Sequence, residues 1–252
     1  MKKIIVANWK MNPETLKEAQ RMLLGLKAGV KNSKADVVIC PPFVYLSEAK
    51  KAFKRASNIK IGSQNCFWES KGAFTGEISP KMLKDLGVKY VILGHSERVM
   101  VMGETNEMTA KKVKAVLLAG LTPVVCIGET IEERNQSITF QVIEMGLKES
   151  LKNIKKQQAE KLVIAYEPLC AISTNQGLIC TQDDALTMAL YIKKLVGETY
   201  GKKAKDNVRV LYGGSVIADN AKSYLENEAI DGLLIGGASL NIKEFLSIVK
   251  NI

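Results

Sequence analysis

The feature that most constrains the fold is a set of eight short apolar runs, rich in β-branched residues and spread along the whole chain. They are Ile4–Ala7, Val37–Cys40, Ile59–Gly62, Tyr90–Leu93, Pro123–Ile127, Leu162–Tyr166, Val208–Tyr212 and Gly232–Ile235. A strand with one wet face alternates apolar and polar residues. These runs are nearly continuous, which suits parallel strands covered on both faces. Between them lie Lys/Glu-rich stretches with helix signals. Asn12-Pro13-Glu14 and Ser79-Pro80 each read as an N-cap followed by proline at the first helical position. Thr181-Gln182-Asp183-Asp184 has the spacing of a capping box. After it, Ala185, Ala189, Ile192 and Val196 share one helical face, expected to pack on a sheet. Strand and helix in alternation imply a parallel α/β fold. Eight such units in 252 residues is the usual size of a (β/α)8 barrel, with a doubly wound open sheet as the alternative. No compositional break divides the chain, so residues 1–252 are read as a single domain. One connection, Asn65 to Ser79, is long for a compact domain. It carries Phe67, Trp68 and Phe74, and exposed aromatics there suggest docking onto something.

The formal charge of +10 raises the question of a nucleic-acid or membrane surface. The lysines are spread evenly, aromatics are only 6% of residues, and no basic block is interleaved with them. The charge is therefore read as solvated helix faces with some attraction for anionic substrates, and neither nucleic acid nor membrane is expected as a partner. No apolar run is long enough to span a bilayer, and the run after Met1 is too short for a secretory signal. The five cysteines, Cys40, Cys66, Cys126, Cys170 and Cys180, are scattered and never spaced C-x-x-C. They read as free thiols in a reducing cytoplasm, not as a metal site.

In a barrel, the residues that follow the strands' carboxyl ends share the face that carries the chemistry. In order these are Asn8 and Lys10, then His95, Glu167, the turn Gly213-Gly214-Ser215, and Gly236-Gly237. Singly, each has an ordinary explanation. Lys10 reads as a surface lysine, His95 (the chain's one histidine) as structural, Glu167 as a salt-bridged acid, and the glycine pairs as turns. Together, a base, an imidazole, a cation and two glycine turns converging on one face outweigh those explanations. Glu167 ends a buried run in AYEP and is followed at once by Pro168, which stiffens the exit.

Seven motifs, NWKMN (8–12), GAFTGEIS (72–79), LGHSER (93–98), CIGET (126–130), AYEP (165–168), YGGSV (212–216) and LIGGASL (234–240), occur in this order at matching strand positions. Over its whole length the chain resembles the triosephosphate isomerase family. The resemblance implies a TIM barrel, a cytoplasmic homodimer and cofactor-free, metal-free interconversion of two phosphorylated trioses through an enediolate. It implies Glu167 as the base, His95 as a neutral hydrogen-bond donor to the carbonyl, and Lys10 as the cation near the developing oxyanion, with Asn8 helping to hold it. Ser173, Ser215, Gly236 and Gly237 would grip the phosphate through backbone N–H groups. Glu97, Ile172, Leu234 and Tyr212 would surround these groups: Glu97 pairing with Lys10, and Ile172 and Leu234 closing around the carboxylate. Residues 168 to about 178 would form a water-excluding lid. The loop Asn65 to Ser79, with Thr75, would dock into a second copy near Lys10 and His95.

The sequence departs from the family in that lid. Cys170 stands where tryptophan is usual, and Ser173-Thr174-Asn175-Gln176 where Gly-Thr-Gly-Lys is usual. Val99 replaces an arginine and Met102 a phenylalanine, and both are expected to alter support for the His95 region. Another phosphate-binding barrel enzyme is the alternative within enzymes. A Schiff-base aldolase would want an activated lysine on a late strand, and none is offered. The alternative outside enzymes is a barrel that binds phosphometabolites or a protein without catalysis, motivated by the altered lid.

Overall fold

The computed structural model describes residues 1–31, 33–54, 56, 58–168 and 180–251. The sequence-derived positions Cys170, Ile172, Ser173, Thr174, Asn175 and Gln176 lie outside the described residues. Eight strands form a closed barrel in chain order: β1 (Ile4–Asn8), β2 (Asp36–Cys40), β3 (Ile59–Ser63), β4 (Tyr90–Leu93), β5 (Thr122–Ile127), β6 (Val163–Tyr166), β7 (Arg209–Tyr212) and β8 (Gly232–Ile235). Every neighbouring pair is parallel, and β1 closes onto β8 with Ile4 opposite Gly232. The open-sheet alternative is thereby excluded. Strand limits agree with the sequence reading to within one residue.

Both faces of the strands are dry, apart from the exposed Lys60 of β3. Ile4, Val6, Val38, Ile92, Val124 and Leu211 fill the barrel interior. Their strand neighbours Ile5, Ala7, Val37, Val91, Val125 and Val210 point outward and pack under the helices. This is the physical origin of the continuous apolar runs: successive residues face opposite sides, and neither side meets water.

The helices that matter for the barrel mouth are α1 (Leu16–Gly29), α2 (Leu46–Phe53), α3 (Pro80–Asp85), α4 (Ser96–Met100), α5 (Asn106–Leu118), α6 (Ile131–Asn135) and α7 (Thr139–Leu151). Lys156–Ala159, Gln182–Tyr200, Lys202–Asn207, Ala218–Leu225 and Ile242–Lys250 complete the outer ring. Ser79 caps α3, with Pro80 opening it. The Thr181/Asp184 capping box starts the helix Gln182–Tyr200, whose residues Ala185, Ala189, Ile192 and Val196 are buried. One start differs from the sequence reading. α1 begins at Leu16, three residues after Pro13, because the Thr15 hydroxyl oxygen accepts the Glu18 N–H while Asn12 instead donates its amide to the Trp9 carbonyl. A threonine cap offers the same orphan-donor satisfaction as Asn12 would have done.

The Asn65–Ser79 connection is closed at its base by Phe67 N–H donating to the Ile78 carbonyl at 2.8 Å. Phe67 stacks on Trp68 at 4.0 Å and meets Phe74 at 4.8 Å. Of the three rings only Phe74 is exposed, at 43%, since Phe67 and Trp68 are half-covered by one another.

Gly128, just past β5, is a place where only glycine fits. A Cβ there would lie 1.8 Å from the Glu167 carbonyl oxygen, a backbone atom. Gly128→Ala is expected to destabilise the protein by about 1–3 kcal/mol and to cut turnover at least tenfold, because the shifted backbone carries Glu167. Urea unfolding and turnover of the folded variant test this. A variant that matches wild type in both would contradict the close approach.

Candidate active site

Each residue at the mouth is held by the end of a strand. The Trp9 N–H donates to the Cys40 carbonyl, and the Glu167 N–H to the Ile127 carbonyl at 2.8 Å, so the parallel ladder runs one residue beyond the strands. The backbone at these two positions is therefore held by hydrogen bonds of the sheet's own kind. Tyr166, the last residue of β6, is tied down as well. Its hydroxyl donates to Glu129 Oε1 at 3.0 Å, and the same oxygen accepts Arg134 Nε at 3.0 Å.

Lys10 adopts a left-handed backbone, φ +54°, which costs a non-glycine residue about 1–2 kcal/mol. Three hydrogen bonds secure its segment. The Lys10 N–H donates to Asn8 Oδ1 at 3.0 Å, and Gln64 Nε2 donates to the Lys10 carbonyl at 2.8 Å and to the Cys40 carbonyl at 2.9 Å. The result aims the side chain across the mouth, where Nζ meets Glu97 Oε1 at 2.6 Å.

His95 sits at the N-cap of α4 and serves as that cap. Its Nδ1 accepts the Glu97 N–H at 3.2 Å. An accepting Nδ1 carries no proton, so the ring's proton is on Nε2 and the imidazole is neutral. The Glu97 carboxylate is turned to Lys10, its other oxygen standing 3.8 Å from Nδ1, too far for a hydrogen bond. His95 Nε2 faces Glu167 Oε1 at 3.4 Å.

Glu167 is buried, at 3% exposure. Its Oε2 accepts the Ser96 N–H at 3.2 Å, an amide at the start of α4. Beside it, burial pushes the Cys126 thiol well above its ordinary range, and the Glu167 carboxylate adds to the shift. Cys126 is thus a neutral wall against the carboxylate.

Asn8, Lys10, His95, Glu167, Ser215, Leu234, Gly236 and Gly237 all line one cavity of about 130 Å³. Its far wall is the two glycine turns, and a Cβ at Gly236 would stand 3.1 Å from Lys10 Cε. The glycine lets backbone amides and the lysine approach the same point. Gly237 opens the 3-10 turn Gly237–Leu240. Tyr212 is buried beneath the Gly213–Ser215 turn, stacked on Tyr224 at 4.2 Å. Leu234 reaches this cavity from the barrel interior.

A model of the family described as triosephosphate isomerase matches residues 3–252. The chain belongs to the triosephosphate isomerase family. It is 49% identical over 247 residues to the triosephosphate isomerase of Clostridium botulinum (strain Okra / Type B1), covering 98% of each chain. To that of Alkaliphilus oremlandii it is 46% identical over 249 residues, covering 99% of each. Its fold matches a crystal structure of triosephosphate isomerase from Bartonella henselae with a TM-score of 0.88 at 35% identity, covering 100% of this chain and 99% of that one.

For a member of the triosephosphate isomerase family, sequence reasoning missed three supports of the mouth: Gln64, the Ser96 N–H and Cys126. Gln64 precedes the long loop, and no local pattern marks a side chain that bonds backbone 54 residues away. Cys126 was legible as a scattered thiol and as the start of the CIGET run, but not as a wall against Glu167. Val99 lies one helical turn after His95, its N–H donating to the His95 carbonyl at 3.1 Å, and it also lines a second cavity, which Glu167 shares.

Proposed function

We propose that this chain interconverts dihydroxyacetone phosphate and D-glyceraldehyde 3-phosphate without a cofactor, with residues 1–252 acting as one barrel domain. The observation that carries this reading is the single cavity in which a buried carboxylate, a neutral imidazole donor and a cation face two glycine turns. Glu167 takes a proton from the carbon next to the carbonyl, and the electron pair moves onto the carbonyl oxygen to give an enediolate. The same carboxyl then returns a proton to the neighbouring carbon. His95 Nε2–H donates to the oxygens on which charge develops, and Lys10 offsets that charge. Both donors are held before substrate arrives, His95 by the Glu97 amide and Lys10 by Glu97 and Gln64. Glu167 rests against Ser96 and turns towards the substrate to act. The phosphate is gripped by backbone amides at Ser215, Gly236 and Gly237, joined in our reading by Ser173; a phosphate site after strands seven and eight suits a barrel of this kind.

The same reading includes a homodimer. Thr75 and Phe74 stand exposed at the tip of the long loop, and Met11 and Met82, at 92% and 52% exposure, flank its base. The apolar Phe74, Met11 and Met82 are costly to leave wet around a loop that follows directly on Gln64, itself in hydrogen bond to Lys10. The compartment proposed is the cytoplasm, with neither nucleic acid nor membrane as partner. Among the described residues no helix is long and apolar enough to cross a membrane.

Two measurements test these points. Isomerase turnover on glyceraldehyde 3-phosphate in a coupled assay should be robust, and its absence would bring forward a barrel that binds phosphometabolites without acting on them. Sedimentation at micromolar concentration should give a dimer. A fully active monomer would sink the dimer.

A further inference from the structure

The wall behind Glu167 is hollow. A second cavity of about 240 Å³ lies between α4 and α7, and Glu167 lines both it and the mouth cavity. Its sides are Val99 and Met100 from α4 and Val142 and Met145 from α7. Val99, Met100 and Met145 are 42%, 62% and 55% exposed, so the rim is open and apolar.

Two further observations bear on what enters it. First, Gly146 sits inside α7 and lines the cavity, and nothing beyond its chain neighbours and its own helix backbone lies within 4 Å of where its Cβ would be. Glycine is a poor helix former. No steric need calls for it here, and a large side chain at this lining position has open space to take up. Second, among the described lining residues the charged ones are Glu133 and Glu167, both carboxylates. That holds in a chain of net charge +10, whose general field attracts anions. This pocket favours the opposite sign.

We infer that the rear cavity binds a small organic cation, a primary ammonium on an apolar body the size of a phenyl ring, and that its occupation inhibits by keeping Glu167 turned towards Ser96. The size suits this class, because an apolar cavity of about 150 Å³ accepts benzene. The ring lies against the Val and Met side chains, and methionine adapts to it. The ammonium meets the carboxylates. Binding follows from the cavity and its charge alone, whereas the inhibition rests on Glu167 being the base.

Calorimetric titration with benzylammonium at pH 7, with benzyl alcohol as the neutral isostere, tests the binding. One site per chain is expected, with benzyl alcohol about tenfold weaker, the order of effect one desolvated charge contact produces. Glu133→Gln keeps the hydrogen bond that Glu133 accepts from the Thr130 N–H, since glutamine serves a capping box equally. It should weaken benzylammonium several-fold and leave benzyl alcohol unchanged. Gly146→Leu should abolish binding of both while keeping turnover. In parallel kinetics, benzylammonium should lower the turnover of wild type at saturating substrate and leave Gly146→Leu unaffected. Absence of binding, equal affinity for the two probes, or undiminished binding in a folded Gly146→Leu would overturn the site. If Gly146→Leu does not fold, the Glu133→Gln comparison decides. Binding without inhibition in an active enzyme would overturn the inhibitory step. If the protein proved to have no isomerase activity, the calorimetry would still decide the site.

Discussion

Glu167→Gln is expected to lower turnover by about 10²–10⁴-fold, the usual worth of a positioned general base, with substrate affinity changed far less. A hundredfold loss corresponds to about 2.7 kcal/mol of transition-state stabilisation, and the physical reason is specific. Glutamine has nearly the same shape and can accept the Ser96 N–H as Glu167 Oε2 does. The backbone at 167 stays in the ladder through the Ile127 carbonyl. The turns proposed to grip the phosphate, at Ser215, Gly236 and Gly237, follow β7 and β8 and not the strand that carries Glu167. What disappears is a group able to take a proton from carbon. Loss of turnover with a native unfolding midpoint would separate chemistry from folding. A variant within tenfold of wild type would remove Glu167 from the role of base and move attention to His95.

The largest stability effect is expected at a site away from the reaction. Glu104 is buried and bonded through one oxygen to Arg98 Nε at 2.5 Å and to the buried Lys112 ammonium. Its other oxygen has no hydrogen-bond partner among the described residues. Lys112 Nζ also donates to Asn65 Oδ1 at 2.9 Å, at the root of the long loop. Lys112→Met leaves Glu104 as a buried carboxylate with only Arg98 beside it. Breaking such a pair from one side costs about 3–5 kcal/mol, a large share of the usual 5–15 kcal/mol of a folded protein. For a chain of this length that lowers the melting midpoint by about 6–20 °C. The double variant Lys112→Met with Glu104→Leu should recover much of the loss, because it removes the uncompensated charge as well. A single-variant cost under about 1 kcal/mol, measured by urea unfolding, would mean that water reaches this network.

Much of the mouth was legible because it follows from strand ends. Asn8, Lys10, His95, Glu167 and Gly236 each lie within a few residues of an apolar run, and a barrel sends every such position to one face. The helix starts at Ser79 and Thr181 were legible for a similar reason, as capping is a local contest for orphan N–H groups. At α1 the same contest had two credible contestants, Asn12 and Thr15, and local pattern could not rank them. The supports were a different matter. The Gln64 amide, the Ser96 N–H under Glu167 and the Lys112–Glu104–Asn65 bonds join residues by routes that no periodicity encodes.

The amino-acid sequence by itself determined eight strands dry on both faces, their parallel alternation with helices, and the set of reactive residues at their carboxyl ends. These are properties of neighbours in the chain: side-chain direction alternates along a strand, and burial on both sides shows as an unbroken apolar run. Only the tertiary structure decided that the sheet closes, that the Glu97 amide donates to His95 Nδ1, that Gln64 ties down the Lys10 carbonyl, and that a cavity lies behind Glu167. Those depend on distances between residues far apart in the chain, which closing β1 onto β8 sets to within a hydrogen bond's length.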